Sequence, residues 1–155
     1  MGKIKVLMID DNISLIGMVK EYFYNHADIE IALEAHDGEE GLNKILNNEN
    51  EYNLVLLDLI MPKKDGVYIL EELKKRNIEK NIIVLTSYNA PDVIRKVSEY
   101  GVNYYILKPF ELTELERRIL ESVDSLDKSS INLYHNNLQI SITKMLHELG
   151  MPSHI

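Results

Sequence analysis

Five short apolar runs recur along the chain at nearly even spacing. They are Ile4-Lys5-Val6-Leu7-Met8-Ile9, Ile29-Glu30-Ile31-Ala32-Leu33, Leu54-Val55-Leu56-Leu57, Ile82-Ile83-Val84-Leu85 and Tyr104-Tyr105-Ile106-Leu107. The third and fourth are unbroken and aliphatic, as strands covered on both faces should be. The second alternates, which places it nearer a sheet edge. Between the runs, apolar residues fall at helical spacing: Leu15, Val19, Tyr22 and Phe23; then Val67, Leu70 and Leu73; then Leu112, Leu115, Ile119 and Val123. Gly38, Gly66 and Gly101 mark joins. Strand and helix alternating five times predict an α/β fold, a parallel sheet flanked by helices with right-handed crossovers. Sites in such sheets lie beyond the carboxyl ends of the strands, so chemistry is expected just after residues 9, 57, 85 and 107.

The pattern changes after residue 124. The stretch 125–137 is largely polar and reads as a linker. Leu138, Ile142, Met145, Leu146 and Leu149 then share one helical face, and Gly150 and Pro152 mark a stop. Three segments are therefore expected: a domain over 1–124, a linker over 125–137 and an amphipathic helix within 138–155. Charge divides at the same boundary. Residues 125–155 hold two bases, Lys128 and Lys144, and two acids, Asp127 and Glu148, so the whole net charge of −8 belongs to residues 1–124.

That acidity argues against a nucleic-acid or anionic-membrane surface in the first domain, because both demand a positive patch. The absence of cysteine excludes a disulfide scaffold, a thiol nucleophile and a cysteine-ligated zinc or iron–sulfur centre. No apolar run approaches the ~18 residues of a membrane span, and the N-terminus lacks a signal peptide's apolar stretch. The expected setting is the cytoplasm, without membrane contact.

Candidate chemistry sits where the topology directs it. The first run ends in Asp10-Asp11, the third in Asp58, the fourth in Thr86-Ser87 and the fifth in Lys108-Pro109. An Asp after a strand often merely caps the next helix, and Asp11 or Asn12 is placed to do so before Ile13. Three carboxylates and a lysine at aligned strand ends call for more. Such carboxylates repel one another unless a cation intervenes, and Mg²⁺ takes oxygen ligands from one or two carboxylates plus a phosphate. A remaining carboxylate is free to attack phosphorus, while Lys108 and the Thr86 hydroxyl are suited to phosphoryl oxygens. Asp58 stands alone after the central run and is the expected nucleophile.

Asp10-Asp11, Asp58 with Met61-Pro62 and Asp65-Gly66, Thr86, and Lys108-Pro109-Phe110 together resemble the receiver domain of two-component response regulators over residues 3–124. The resemblance implies a (βα)₅ flavodoxin-like, doubly wound sheet with strand order 2-1-3-4-5. It implies a phosphohistidine donor, from a histidine kinase or phosphotransferase, and phosphorylation of Asp58. It also implies Mg²⁺, or another divalent cation, held by Asp11, Asp58 and the Ile60 backbone carbonyl, with Asp10 completing the acidic set. Lys108 would bind the acyl phosphate, and Thr86 with Tyr105 would form the switch, acting on a face that commonly pairs receivers into homodimers. On this reading the chain is a regulatory phosphoacceptor rather than an enzyme that turns over substrate. In receivers, the residues two past the phosphoacceptor and two past the Thr border the path of hydrolytic water. Here they are Ile60 and Tyr88, and a long-lived acyl phosphate is expected.

The tail is similar to the opening of the effector domain of the sporulation stage zero protein A family. The resemblance rests on Ile142-Thr143 and His147-Glu148-Leu149-Gly150-Met151-Pro152-Ser153-His154-Ile155. It implies a phosphorylation-activated transcription regulator that binds DNA only through an effector domain continuing past this point. The expectation is a chain that stops after that domain's first helix. Two alternative readings stand beside this one. One is a phosphate sink or decoy without output. The other is an aspartyl-phosphate hydrolase of the haloacid dehalogenase type, which expects a second Asp where this chain has Ile60. His147-Glu148 lacks the second His of a zinc-protease motif, since residue 151 is Met. His26, His36, His135 and His154 show no ligand spacing, and none is expected at the rim.

Overall fold

The computed structural model describes residues 2–124. The expected linker 125–137 and helix 138–155 lie outside the described residues. Ten elements alternate strictly: β1 (Ile4–Ile9), α1 (Ile13–Tyr22), β2 (Ile29–Ala35), α2 (Gly38–Asn47), β3 (Leu54–Leu57), α3 (Gly66–Lys75), β4 (Ile82–Thr86), α4 (Pro91–Ser98), β5 (Tyr104–Leu107) and α5 (Leu112–Asp124). The strands form one parallel sheet in the order β2-β1-β3-β4-β5, the flavodoxin-like arrangement. β2 runs two residues beyond the expected run, through Glu34 and Ala35, because Met8 and Ile9 remain in register with them.

The period of two along each strand divides the core into two layers. Val6 and Met8 of β1, Leu54 and Leu56 of β3, and Ile83 and Leu85 of β4 meet Leu15, Ile16 and Val19 of α1 and Leu115 and Ile119 of α5. Their alternates, Leu7, Ile9, Val55, Leu57, Ile82 and Val84, meet Leu42 and Ile45 of α2, Ile69, Leu70 and Leu73 of α3, and Ile94 and Val97 of α4. Burial on both faces is why β3 and β4 read as unbroken apolar runs. β2, at the edge, is only partly buried over Ile31–Glu34. Gly41 lets α2 lie close on β1, since a Cβ there would stand 2.8 Å from the Ile9 side chain.

Helix starts follow capping chemistry. Asn12, Asp37 and Asp65 accept hydrogen bonds from the backbone N–H of Leu15, Glu40 and Tyr68 at 3.0, 2.8 and 2.9 Å. α4 differs: it begins on Pro91 after Ala90, with no side-chain cap. Among the described residues no helix is long and apolar enough to cross a membrane.

The amino ends of three strands carry a feature that the apolar pattern does not reveal. Asn53, Asn81 and Asn103 each precede a strand, and their carboxamides continue the ladder beyond it. Asn53 Oδ1 accepts from the Lys5 N–H at 2.7 Å, and the buried Asn103 Oδ1 accepts from the Ile82 N–H at 3.0 Å. This rim stitches the sheet at the end remote from the candidate chemistry. Asn103→Ala leaves the buried Ile82 N–H without its acceptor, so a loss of about 1–3 kcal/mol in unfolding free energy is expected. Urea denaturation with an unchanged midpoint would contradict this role.

Candidate functional site

The sheet reverses direction of winding between β1 and β3, so the loops leaving these strands part and open a crevice at their carboxyl ends. Register delivers the polar residues to this crevice. Ile9 lies opposite Leu57, and Leu57 opposite Val84, while Thr86 lies opposite Leu107. Each following residue is fixed to its neighbouring strand by the backbone. The Asp10 N–H donates to the Ala35 carbonyl at 2.9 Å, the Asp58 N–H to that of Ile9 at 3.0 Å, and the Lys108 N–H to that of Thr86 at 2.9 Å.

Three carboxylates therefore meet. Asp10, Asp11 and Asp58 each offer an oxygen within 4.8 Å of the others. Asp10 is 1% exposed and Asp58 6% exposed, whereas Asp11 faces solvent. Lys108 Nζ reaches across from β5 to Asp10 Oδ2 at 2.8 Å and to Asp58 Oδ2 at 3.4 Å. Burial raises the Asp10 pKa above the usual carboxylate value, and the charge of Asp58 adds to the rise. Hydrogen bonds from Lys108 and from the Asn12 N–H, the latter at 2.9 Å to Oδ1, oppose it. The cap of α1 is Asn12, not Asp11, and among the described residues the Asp11 carboxylate has no hydrogen bond or ion pair. One fixed cation facing three carboxylates leaves an all-oxygen, negatively charged donor set. That set fits a hard divalent cation such as Mg²⁺.

The loop after Asp58 is shaped by backbone contacts. The Ile60 N–H donates to Asp58 Oδ1 at 3.3 Å, and the Gly66 N–H to the Leu59 carbonyl at 3.0 Å. Gly66 admits no side chain, because a Cβ would stand 2.2 Å from the Asp58 carbonyl oxygen. Leu59 and Met61 are buried, and Ile60 between them is exposed. Tyr88, on the loop that follows β4, is also exposed.

Thr86 and Tyr105 lie on adjacent strands. Thr86 is fully buried and its Oγ1 accepts from the Tyr88 N–H at 3.3 Å. Tyr105, also buried, turns inward and its hydroxyl donates to the Tyr88 carbonyl. Both side chains thus hold the backbone of Tyr88, one from each side of its residue. Burial pushes the Tyr105 phenol far above its ordinary pKa, with the charge of Asp58 contributing. The Lys108–Pro109 bond is cis.

Sequence reasoning named seven positions. Of these, the structure brings Asp10, Asp11, Asp58 and Lys108 together, sets Thr86 and Tyr105 on the adjacent strands β4 and β5, and leaves Ile60 exposed on the loop after Asp58. It missed the second role of Asn12 and the steric role of Gly66. It also placed His36 away from the rim, whereas His36 directly follows Ala35 at the same end of the sheet. Its ring is engaged at the edge, with Glu34 at 2.9 Å and Glu40 at 3.7 Å. A cleft of about 840 Å³, lined in part by Asn53, Asn81, Asn103, Tyr52 and Tyr100, lies at the opposite end of the sheet and includes none of the aspartates.

Repulsion within the carboxylate cluster predicts a signature. Asp11→Asn removes a like charge that costs about 1 kcal/mol at ~4 Å in a water-like dielectric. The variant is expected to melt higher than wild type without metal, and to lose most of the rise in melting temperature that Mg²⁺ produces. A variant that is no more stable in EDTA and gains as much from Mg²⁺ as wild type would contradict this.

The profile of the response regulator receiver domain matches residues 6–120. Among solved structures, the chain is similar to the receiver domain of the Francisella response regulator 1452, at 29% identity and a TM-score of 0.70, covering 81% of this chain and all of that one. It is similar to a CheY-like receiver domain protein from Methanospirillum hungatei, at 28% identity and a TM-score of 0.69, with 83% and 99% of the two chains covered. A DNA-binding response regulator of the LuxR family from Staphylococcus aureus matches at 25% identity and a TM-score of 0.67, over 77% of this chain and 98% of that one. The match of the receiver profile over most of the chain, on a sheet of receiver topology with its acidic rim at the switch point, shows that this chain belongs to the response regulator receiver domain family.

Proposed function

We propose that Asp58 accepts a phosphoryl group from a phosphohistidine donor and that Thr86 and Tyr105 convert the event into a change of surface. The observation that carries this reading is the Asp58 carboxylate itself. It is nearly buried at the end of the central strand, with Lys108 Nζ 3.4 Å away and two further carboxylates beside it. An Asp58 oxygen attacks phosphorus, the P–O bond forms as the donor's P–N bond breaks, and the imidazole leaves and takes a proton from solvent. Lys108, already within reach of Asp10 and Asp58, pairs with a phosphoryl oxygen. The Thr86 hydroxyl turns to donate to another, giving up its contact with the Tyr88 N–H. Asp10, Asp11, Asp58 and the Ile60 carbonyl would hold Mg²⁺, which would supply the positive charge that lets an anionic phosphoryl group approach an acidic rim.

Freed from Thr86, the Tyr88 segment redistributes between two arrangements, and Tyr105 follows because its hydroxyl bonds the same residue. The face built by α4, β5 and α5 is the surface this would alter, and pairing of two copies there is part of the proposal. We further read the chain as a sporulation-type transcription regulator, with 125–137 as linker and 138–155 as the beginning of an effector domain. The similarity of residues 142–155 to that family supports it, as does a DNA-binding relative among the response regulators.

Incubating the protein with Mg²⁺ and acetyl phosphate and recording intact mass tests the reaction. One added phosphoryl group is expected in wild type and none in Asp58→Asn; equal labelling of both would sink the assignment. The acyl phosphate is expected to be long-lived, since neither Ile60 nor Tyr88 orients a water for in-line attack. Ile60→Asn should hasten its loss about threefold to tenfold, the equivalent of one hydrogen bond of about 0.5–1.5 kcal/mol to that water. A decay rate unchanged by the substitution would count against this account of the lifetime.

A further inference from the structure

Gly38 opens α2, at the far edge of the site from Lys108, and its glycine character has a steric origin. A Cβ there would stand 2.0 Å from the Lys64 carbonyl oxygen, 2.4 Å from its carbon and 2.7 Å from the Lys64 Cβ. The first two are backbone atoms, so the clash cannot be relieved by a side-chain rotation. The first turn of α2 therefore lies directly on the peptide of Lys64, within the loop joining Asp58 to α3. Two neighbours reinforce the contact. Lys63 adopts the left-handed conformation, φ 65°, uncommon for a residue with a side chain. Its ammonium lies 3.7 Å from Asp37, the cap of α2. At its other end the same loop closes on itself where Gly66 rests on the Asp58 carbonyl. Residues 58–66 are thus held at two points by backbone-on-backbone contact, with Leu59 and Met61 sunk in the core and Ile60 presented between them.

We infer that Gly38 is a positioning residue for the phosphoryl site: α2 braces the β3–α3 loop through Lys64 and so sets where the Ile60 carbonyl stands relative to Asp58. This rests on the reading that the loop carries a metal-binding carbonyl. A side chain at 38 moves the loop by more than 1 Å if the pair is to reach ordinary contact, a displacement large enough to spoil an ion site.

The test compares Mg²⁺ binding to the full chain by calorimetry. Gly38→Ala is expected to weaken Mg²⁺ affinity about tenfold or more. Asn103→Ala, which loses stability at the remote end of the sheet, is expected to bind as wild type does. Phosphorylation of Gly38→Ala by acetyl phosphate should recover substantially at saturating Mg²⁺, shifting the apparent metal constant more than the maximal rate. Unchanged Mg²⁺ affinity in a less stable Gly38→Ala would overturn the inference and leave Gly38 a packing residue. Wild type that binds no Mg²⁺ would overturn the metal reading and this inference together. Should Gly38→Ala fail to fold, Asp37→Ala, which frays the first turn of α2, is compared with Asp37→Asn, which loses the charge but keeps a good cap. Weaker binding by the alanine variant alone supports the brace, and equal binding by the two refutes it.

Discussion

Charge at the carboxyl rim of the sheet governs this structure. Asp10, Asp11 and Asp58 converge within 4.8 Å, two of them almost sealed from water, and a single ammonium group from Lys108 answers them. Clustered like charges in a poorly solvated place are costly, and at Asp10 burial first, with a smaller addition from the charge of Asp58, raises the pKa of the carboxyl. A fold that tolerates this arrangement is poised for added positive charge and for a ligand that engages it. The order reversal between β1 and β3 brings the three acids to one crevice, and β5 supplies the lysine that spans it.

The two ends of the sheet handle polar residues in opposite ways. At the amino end, Asn53, Asn81 and Asn103 turn their carboxamides back onto backbone and onto one another, and the rim is closed by its own hydrogen bonds. At the carboxyl end the carboxylates retain unused acceptor capacity, and Asp11 is left without a partner among the described residues. The packing between these ends makes the contrast usable. Apolar layers on both faces immobilise the strands, and Gly66 and Gly38 permit backbone contacts that fix the loop beside Asp58.

Much of this is legible in the sequence. The aliphatic runs at 54–57 and 82–85 reported burial on both faces, because a strand covered twice has no polar face to show. Asp10, Asp58, Thr86 and Lys108 were legible as a group because parallel topology makes strand ends coincide in space. What stayed hidden depends on distance rather than pattern. Whether Asp11 or Asn12 caps α1 is decided by which side chain reaches the Leu15 N–H, and the outcome leaves Asp11 without a partner among the described residues. Gly38 looked like punctuation, and its contact with Lys64 joins segments about 26 residues apart that no periodicity connects. The asparagine rim went unread because each Asn resembles an ordinary turn residue until three of them align.

The central claim is that Asp58, among three adjacent carboxylates, is the one that carries the phosphoryl group. Borohydride reduces an aspartyl phosphate to homoserine, so peptide mass spectrometry after phosphorylation and reduction reads out the acceptor residue directly. Homoserine at position 58 alone is the predicted result. Homoserine at position 10 or 11, or at none of the three, would contradict the account.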